Sequence, residues 1–267
     1  MDELSRDTWL GLERGDIEGR WTFELTRNLS RFDGRFYGGT GLAIATALVE
    51  ATTERDALWV TTQFVGSAEV GDRLDCRVEL LAHGRRTSQA QVTATHDGRL
   101  VFVALGAAGL PRAAALEVQL PSMPTVASPD ESPPWGPRVP FTLPETDRGW
   151  IDLLELREVP ESDPGAAPGT ALWARMRDGR PHSRATIGFV ADLVPSAVVR
   201  AAGRAGAGTS LDNSMRYGAA PTTEWVLVEL VPQFATAGYL HGLARVWSDD
   251  GVLLGVASQT AVSVLFD

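Results

Sequence analysis

Alternating apolar and polar positions predict antiparallel β-strands along most of the chain. An Ala-rich segment, residues 42–51, interrupts the first series; it is apolar over most of its circumference and therefore predicts a buried helix. The Asp97 and Gly98 pair between two strand patterns is typical of a β-hairpin turn. The predicted strands of the first half are 21–29, 58–65, 73–81, 87–95 and 100–107.

The second half of the chain repeats this order of elements. Its predicted helix covers 188–202, and its predicted strands are 150–159, 170–177, 210–217, 224–231, 239–247 and 252–264. A repeat of this length indicates the duplication of a whole domain. Three landmarks recur about 150 residues apart, pairing Gly39 with Gly188, Gly66 with Gly218, and Gly98 with Gly251.

A proline-rich stretch separates the two halves. Between residues 111 and 144 the composition changes to Pro, Ala, Ser and charged residues, which is typical of an extended linker that covers a surface. We therefore predict an N-terminal unit over 1–110, a linker over 111–144 and a C-terminal unit over 145–267.

Composition narrows the range of functions. The net charge of −10 argues against a nucleic-acid-binding protein, which needs a basic surface. All 24 basic residues are arginine, so lysine-dependent chemistry is excluded. A single cysteine, Cys76, allows no internal disulfide, and no Cys/His cluster suggests a zinc site. With no long apolar run and no secretory signal, we expect a cytoplasmic protein without a metal.

The stretch from Arg184 to Met215 carries the first candidate chemistry. Asp192 lies in an apolar helical segment, where a carboxylate needs a hydrogen-bonding partner. It could instead be a simple helix N-cap ahead of Pro195. Ser210 opens a polar strand, and a slip of one residue in register would bring Thr209 inward in its place.

Several motifs together resemble the acyl-CoA thioesterase II family over nearly the whole chain apart from the linker. Residues 36–39 (Phe-Tyr-Gly-Gly) lead into the Ala-rich helix, and residues 191–193 (Ala-Asp-Leu) resemble the segment around the family's catalytic aspartate. Residues 210–215 (Ser-Leu-Asp-Asn-Ser-Met) resemble its [ST]-[IL]-Asp-His-x-Met strand. Residues 250–253 and 258–259 resemble its final hairpin and terminal glutamine.

The resemblance implies an α+β double hotdog fold, with two tandem units that each wrap a curved antiparallel sheet around a long central helix. It implies hydrolysis of fatty or related acyl-CoA, with Asp192, Ser210 and Gln259 as the catalytic residues. Two departures from the family pattern are Asn213, where the family usually has His, and Thr260, where it commonly has Glu. Gln259 also lies in an apolar run, so its side chain needs a partner if it is buried.

Thioester hydrolysis also needs donors for the developing oxyanion and cations for the phosphates of coenzyme A. The helix starts near Gly39 and Gly188 are candidate oxyanion donors. Because Ala43 occupies the duplicated position of Asp192, we expect one active site per chain. The candidate phosphate ligands, which could equally be solvated surface charges, are Arg85, Arg86, Arg200 and Arg204.

No cofactor beyond the acyl-CoA substrate is implied. Two hotdog units in one chain can mimic a dimer, which allows a monomer, whereas exposed sheet edges favour a homo-oligomer. A non-catalytic acyl-CoA or lipid-binding protein of the same fold remains an alternative, as does a structural partner in a larger acyl-transfer complex. A hotdog hydratase or dehydratase is a further alternative, although its usual Asp-x4-His pattern is missing because Ala197 follows Asp192 at that spacing.

Overall fold

The computed structural model describes residues 7–112, 116–136, 139, 141–144, 147–159 and 171–266. The helices are α1 (Gly38–Thr53), α2 (Arg184–Val190) and α3 (Val194–Ala201). The strands of the first half are β1 (Glu13–Arg14), β2 (Arg20–Glu24), β3 (Asp56–Phe64), β4 (Arg73–His83), β5 (Thr87–His96) and β6 (Arg99–Gly109). Those of the second half are β7 (Leu154–Glu158), β8 (Ala171–Met176), β9 (Gly206–Tyr217), β10 (Val226–Thr236), β11 (Tyr239–Ser248) and β12 (Leu253–Leu265).

All of these strands join one antiparallel sheet in the order β1-β2-β4-β5-β6-β3-β9-β12-β11-β10-β8-β7. From β2 to β3 and from β8 to β9 the two halves use the same strand order, which agrees with the predicted duplication. The halves meet at the centre, where β3 pairs with β9. There Ser214 Oγ donates a hydrogen bond of 3.0 Å to Thr61 Oγ1 across the junction.

Helix α1 is the buried helix that the apolar composition of residues 42–51 predicts. It has 16 residues, most of them buried, and it packs against β3, β4, β5 and β6. It also packs closely against α2 and contacts β9. A Cβ on Gly188 would lie only 3.2 Å from Leu42 Cγ, so this glycine permits the close packing of α2 on α1.

The second half has two short helices in place of the single helix predicted over 188–202. Helix α2 begins earlier, at Arg184, because the Ser183 side chain caps it by accepting the Thr186 N–H. The break follows Val190, and α3 restarts with Pro195 in its first turn. Proline has no N–H to donate, so the chain cannot continue the hydrogen bonds of α2 through this position. The prediction of a long central helix in the second half is therefore wrong.

Smaller differences lie at the ends of the predicted strands. The strand predicted over 21–29 ends at Glu24, and a short 3-10 helix, Arg27–Leu29, follows it. The strand predicted over 150–159 begins with another 3-10 helix, Gly149–Leu153. The first residue of the strand predicted over 170–177 lies outside the described residues.

The described part of the proline-rich segment lies against the second half of the sheet. Trp173 Nε1 donates a hydrogen bond of 2.8 Å to the Ala127 carbonyl oxygen. The Trp135 N–H donates to the Leu156 carbonyl oxygen at 3.0 Å. The segment thus covers a surface, while the domain boundaries at residues 110 and 144 stay predictions. Among the described helices, none is long and apolar enough to cross a membrane.

Candidate active site

Asp192 lies on the turn between α2 and α3, directly above the first residues of α1. Its Oδ2 atom accepts a hydrogen bond of 2.7 Å from the Gly39 backbone N–H. The side chain is buried, with the whole residue 6% exposed. An anion at a helix N-terminus is stabilised by unpaired N–H groups and by the helix dipole. Asp192 therefore joins the second half of the chain to the helix start of the first.

Two amide side chains hold the other oxygen of the carboxylate. Asn213 Nδ2 donates to Asp192 Oδ1 at 2.9 Å, and Gln259 Nε2 donates to the same oxygen. Gln259 Nε2 also donates to Ser210 Oγ at 2.8 Å. Oδ1 is thus fully occupied, whereas Oδ2 accepts a single hydrogen bond and keeps room for another. The three predicted catalytic side chains form one connected cluster.

A β-bulge decides which hydroxyl joins this cluster. In the pairing of β9 with β12, Ser210 faces Ala261 and Asp212 faces Thr260, so Leu211 is the extra residue. The bulge turns Ser210 and Asn213 to the same side of β9, although they are three positions apart. Asp212 Oδ1 accepts the Thr260 N–H at 2.9 Å beside the bulge.

Thr209 is exposed and, like Ser210, lines the cavity, but of the two hydroxyls Ser210 alone contacts Gln259. Of the two hydroxyls left open by the sequence, the structure brings Ser210 to the site. Asp212 is engaged with the backbone of β12, which is a structural role.

Burial raises the pKa of Asp192 to about 7, against the lowering effect of the hydrogen bonds from Asn213, Gly39 and Gln259. The positive charge of Arg31 lowers the pKa slightly further. A carboxylate with a pKa near neutrality can both accept and release a proton under ordinary conditions. Asp192 therefore has the properties of a general base.

Gly38 and Tyr37 shape the helix start around this carboxylate. A Cβ on Gly38 would lie 2.7 Å from Asp192 Oδ2 and 3.1 Å from Ser210 Oγ, so any side chain would push into the cluster. The Tyr37 hydroxyl lies 3.2 Å from both the Phe189 and the Asp192 carbonyl oxygens and ties the turn after α2 to α1. Both residues belong to the motif at 36–39, to which the family resemblance assigns no catalytic role.

The two predicted oxyanion donors do not serve as expected. The Gly39 N–H donates to Asp192, so this group is already engaged. Gly188 lies inside α2, whose N–H groups follow the helical i→i−4 pattern, and not at a helix start. At the start of α1, the Gly38 N–H is without a hydrogen-bond partner in the described structure.

The cluster opens into a cavity of about 580 Å³. Asp192 and Ser210 line it, while Asn213 and Gln259 support them from behind. Of the predicted phosphate ligands, Arg200 and Arg204 line the cavity. Arg85 and Arg86 lie on the remote β4–β5 turn and are wrong as candidates for this cavity. Two further arginines, Arg31 and Arg35, line the cavity and were not predicted from the sequence. The apolar part of the lining consists of Phe36, Phe64, Trp150, Leu172 and Leu230.

The first half has the same bulge but none of the same chemistry. In the pairing of β3 with β6, Leu58 is the extra residue between Ala57 and Trp59. Counting outward from the two bulges, Ala57 corresponds to Ser210 and Val60 to Asn213. By the same pairing Gly106 corresponds to Gln259. The polar cluster is thus present in one half of the chain.

Comparison with known proteins assigns the chain to a family. Residues 26–109 match a family model described as the acyl-CoA thioesterase N-terminal domain, and residues 124–263 match the C-terminal domain of the same description. The chain belongs to the acyl-CoA thioesterase family. No functionally curated protein matches the chain at a significant level.

Solved structures agree with the family. A Novosphingobium aromaticivorans protein with a provisional thioesterase assignment is 30% identical; the match covers 94% of this chain and 97% of that one, with a TM-score of 0.84. An acyl-CoA thioesterase II from Mycobacterium marinum shares the fold at 18% identity, 96% coverage of both chains and a TM-score of 0.74. A hot dog fold protein from Alicyclobacillus acidocaldarius shares it at 20% identity, 97% and 98% coverage and a TM-score of 0.80. This family member therefore has a hotdog-type fold.

Other polar side chains of this acyl-CoA thioesterase family member lie away from the cluster. Cys76 is buried, and burial raises the pKa of its thiol to about 12, so it is a core residue. His182 is buried beside Thr186 and Ala174, and no histidine lines the cavity among the described residues. Within that part of the chain, no group of His, Cys, Asp or Glu side chains could hold a metal ion.

Proposed function

We propose that this protein hydrolyses acyl-CoA thioesters to a free carboxylic acid and coenzyme A by direct attack of water. The observation that carries the proposal is the contact of one amide, Gln259 Nε2, with both Asp192 Oδ1 and Ser210 Oγ at the wall of a large cavity. A base, a hydroxyl and an amide at one point are what the activation and alignment of a water molecule require.

In the proposed reaction Asp192 Oδ2 accepts a proton from the attacking water, because this oxygen has one hydrogen bond and can accept another. Ser210 Oγ, which the Gln259 amide holds in place, orients the water towards the thioester carbonyl carbon. Gln259 lies behind these two groups and holds Ser210 Oγ and Asp192 Oδ1 in place through its Nε2 atom. Each of these groups has a separate role in orienting a single molecule.

The water oxygen bonds to the carbonyl carbon, and the carbonyl oxygen becomes negatively charged. The Gly38 N–H, at the positive end of α1, is our candidate donor to that oxygen. When the intermediate collapses, the carbon–sulfur bond breaks and the sulfur leaves as a thiolate. The proton held by Asp192 passes to the thiolate, and the carboxylate is restored for the next turnover.

We propose that the two halves are two hotdog units in one chain, which act together as a single site. The matching strand order and the matching bulges at Leu58 and Leu211 support this reading. Ala57, Val60 and Gly106 at the positions equivalent to the polar cluster support one active site per chain. Three expectations remain predictions: that the protein needs no cofactor, that it is cytoplasmic and that it forms homo-oligomers.

The main rival is a protein that binds acyl-CoA without hydrolysing it. The Asn213 departure from the family motif does not favour the rival, because the Asn213 amide donates directly to Asp192. A hydratase or dehydratase is disfavoured because no described histidine lines the cavity.

The proposal is tested by following the release of free thiol from acyl-CoAs of graded chain length under steady-state conditions. We expect multiple turnovers on at least one chain length, with inhibition by the product coenzyme A. Tight binding of acyl-CoA without turnover on any chain length would overturn the proposal in favour of a binding protein.

A further inference from the structure

We propose that the rim of the cavity is the binding site for the nucleotide end of coenzyme A, with a cluster of three phenylalanine rings for the adenine and arginines from both halves for the phosphates. This inference rests on the proposed function and adds to it the place and orientation of the substrate.

The ring cluster consists of Phe32, Phe141 and Phe266. Their ring centroids lie 5.6 Å (Phe32 to Phe141), 6.1 Å (Phe32 to Phe266) and 5.7 Å (Phe141 to Phe266) apart. The three rings come from three distant segments: the loop before α1, the proline-rich segment and the end of the chain. Phe32 and Phe266 line the cavity, and Phe141 is exposed beside them. Phe32 and Phe266 are half-buried and Phe141 is exposed, and such an aromatic surface at a cavity is suited to stacking on a nucleobase.

The first pair of arginines beside the cluster lies on the turn from Arg31 to Arg35. This turn is held by the Arg31 N–H, which donates to the Arg35 carbonyl oxygen at 2.7 Å, and by the Gly34 N–H, which donates to the Arg31 carbonyl oxygen at 3.0 Å. It therefore presents Arg31, Phe32 and Arg35 together. Arg31 is paired with Asp33 at 2.8 Å, whereas the exposed Arg35 side chain makes no ion pair within the described residues.

Arginines from the second half reach the same rim. The Phe266 N–H donates to the Ala205 carbonyl oxygen at 3.1 Å, which fixes the ring next to the chain that follows α3. Arg204 precedes Ala205 and lines the cavity. Arg200, one turn earlier on α3, also lines it and is paired with Glu158 at 2.5 Å. The ring cluster is thus flanked by cations on both sides.

The charge of this cavity is opposite to that of the whole chain. The chain has a net charge of −10, yet Arg31, Arg35, Arg200 and Arg204 line the cavity and Asp192 is the one acidic residue among its described lining residues. Four arginines around one cavity, of which Arg31 and Arg200 also pair with carboxylates, favour a ligand with several phosphates. Adenine joined to a 3′-phosphate and a 5′-diphosphate, which is the nucleotide end of coenzyme A, matches both the rings and the charges.

The placement also orients the rest of the substrate. Asp192 and Ser210 lie in the same cavity as the rim, and Phe36 and Leu230 lie in its apolar part. With the nucleotide at the rim, the pantetheine arm directs the thioester towards Asp192, and the acyl chain continues into the apolar lining.

The test is isothermal titration with adenosine 3′,5′-bisphosphate, which carries the base and two phosphates but no thioester. Phe266→Leu keeps the apolar volume and removes the aromatic face, while Arg35→Gln removes one charge. We expect each variant to weaken binding about five-fold or more. Arg85→Gln, which removes an exposed arginine far from the cavity, is the matched control and binds like wild type. Thermal unfolding of each variant verifies that the fold is retained.

Equal affinity of wild type, Phe266→Leu and Arg35→Gln for the bisphosphate would overturn the inference, as would the absence of binding to wild type. Neither result depends on catalysis, so the titration remains decisive if no acyl-CoA is hydrolysed. Where hydrolysis occurs, the ratio of kcat/KM for an acyl-CoA to that for the same acyl group on N-acetylcysteamine gives a second reading. This ratio falls in both variants if the rim binds the nucleotide and stays at the wild-type value if it does not.

Discussion

The Oδ2 atom of Asp192 lies 2.7 Å from the backbone nitrogen of Gly39, so the candidate base from one half of the chain is seated on the helix start of the other. Neither half contains the site by itself. The contact also gives the carboxylate its electrostatic support, because α1 points its positive end at a side chain that burial would otherwise neutralise.

The pH dependence of hydrolysis follows from the pKa of Asp192. Burial raises this pKa to about 7, and a general base is active when it is deprotonated, so kcat/KM rises with pH and is half-maximal near pH 7. Asn213→Leu removes a hydrogen bond that lowers the pKa, so its half-maximum moves to higher pH by about one unit. Ser214→Ala, on the same strand, is the control. An unchanged profile in Asn213→Leu would mean that Asp192 is not the titrating group.

Gly38→Ala tests the space in front of the carboxylate. The added Cβ would lie 2.7 Å from Asp192 Oδ2, so the carboxylate has to move and kcat falls by about a hundred-fold. Gly84→Ala is a matched control, because its Cβ meets only the Thr87 carbonyl oxygen at 3.1 Å on a remote turn. Activity is measured by thiol release and folding by circular dichroism. Near wild-type activity in Gly38→Ala would show that the Asp192 position is not critical.

Ser210→Ala and Thr209→Ala separate the two hydroxyls that the sequence leaves open. Ser210 accepts from Gln259, so its removal lowers kcat by about ten-fold to a hundred-fold. Thr209 is exposed at the cavity and makes no hydrogen bond to Gln259 or Asp192 among the described contacts, so its variant keeps activity close to wild type. If Thr209→Ala loses activity while Ser210→Ala keeps wild-type activity, the assignment of Ser210 as the hydroxyl of the site is wrong.

His182 makes stability depend on pH away from the site. Burial lowers the pKa of His182 to about 4. As the pH falls below the ordinary pKa of histidine, this side chain is therefore protonated in the unfolded chain but stays neutral in the native state. The free energy of unfolding therefore decreases between about pH 6.5 and pH 4 through this group. Urea unfolding measures the free energy of unfolding of wild type and His182→Gln over this range. As the pH is lowered, we expect the wild type to lose more of this free energy than the variant does. The exposed His83→Gln is the control, and a pH-independent difference would contradict the account.

The sequence predicts the strands well because alternation of apolar and polar residues reports directly which face of a strand is buried. Helix α1 is recognisable for a similar reason, since it is apolar on nearly all sides. The second helix is not, because the pattern over 188–202 is equally compatible with one helix or with two, and only the Ser183 cap and Pro195 decide between them.

At the site, residue types can be predicted but their partners cannot. The proximity of Asp192, Ser210 and Gln259 follows from the family motifs, while their catalytic role stays a prediction. The part played by Asn213 depends on the bulge at Leu211, which leaves no mark in the alternation pattern. The engagement of the Gly39 N–H by Asp192 is a tertiary contact between halves, which no local pattern encodes.

The central claim is that Asp192 activates water for thioester hydrolysis, and its most direct test is thiol release by wild type and Asp192→Asn under identical conditions. We expect kcat to fall by about a hundred-fold or more in the variant while coenzyme A binding and the circular dichroism spectrum are retained. Turnover that persists near the wild-type rate in Asp192→Asn would contradict the claim and leave Asp192 as a structural cap on α1.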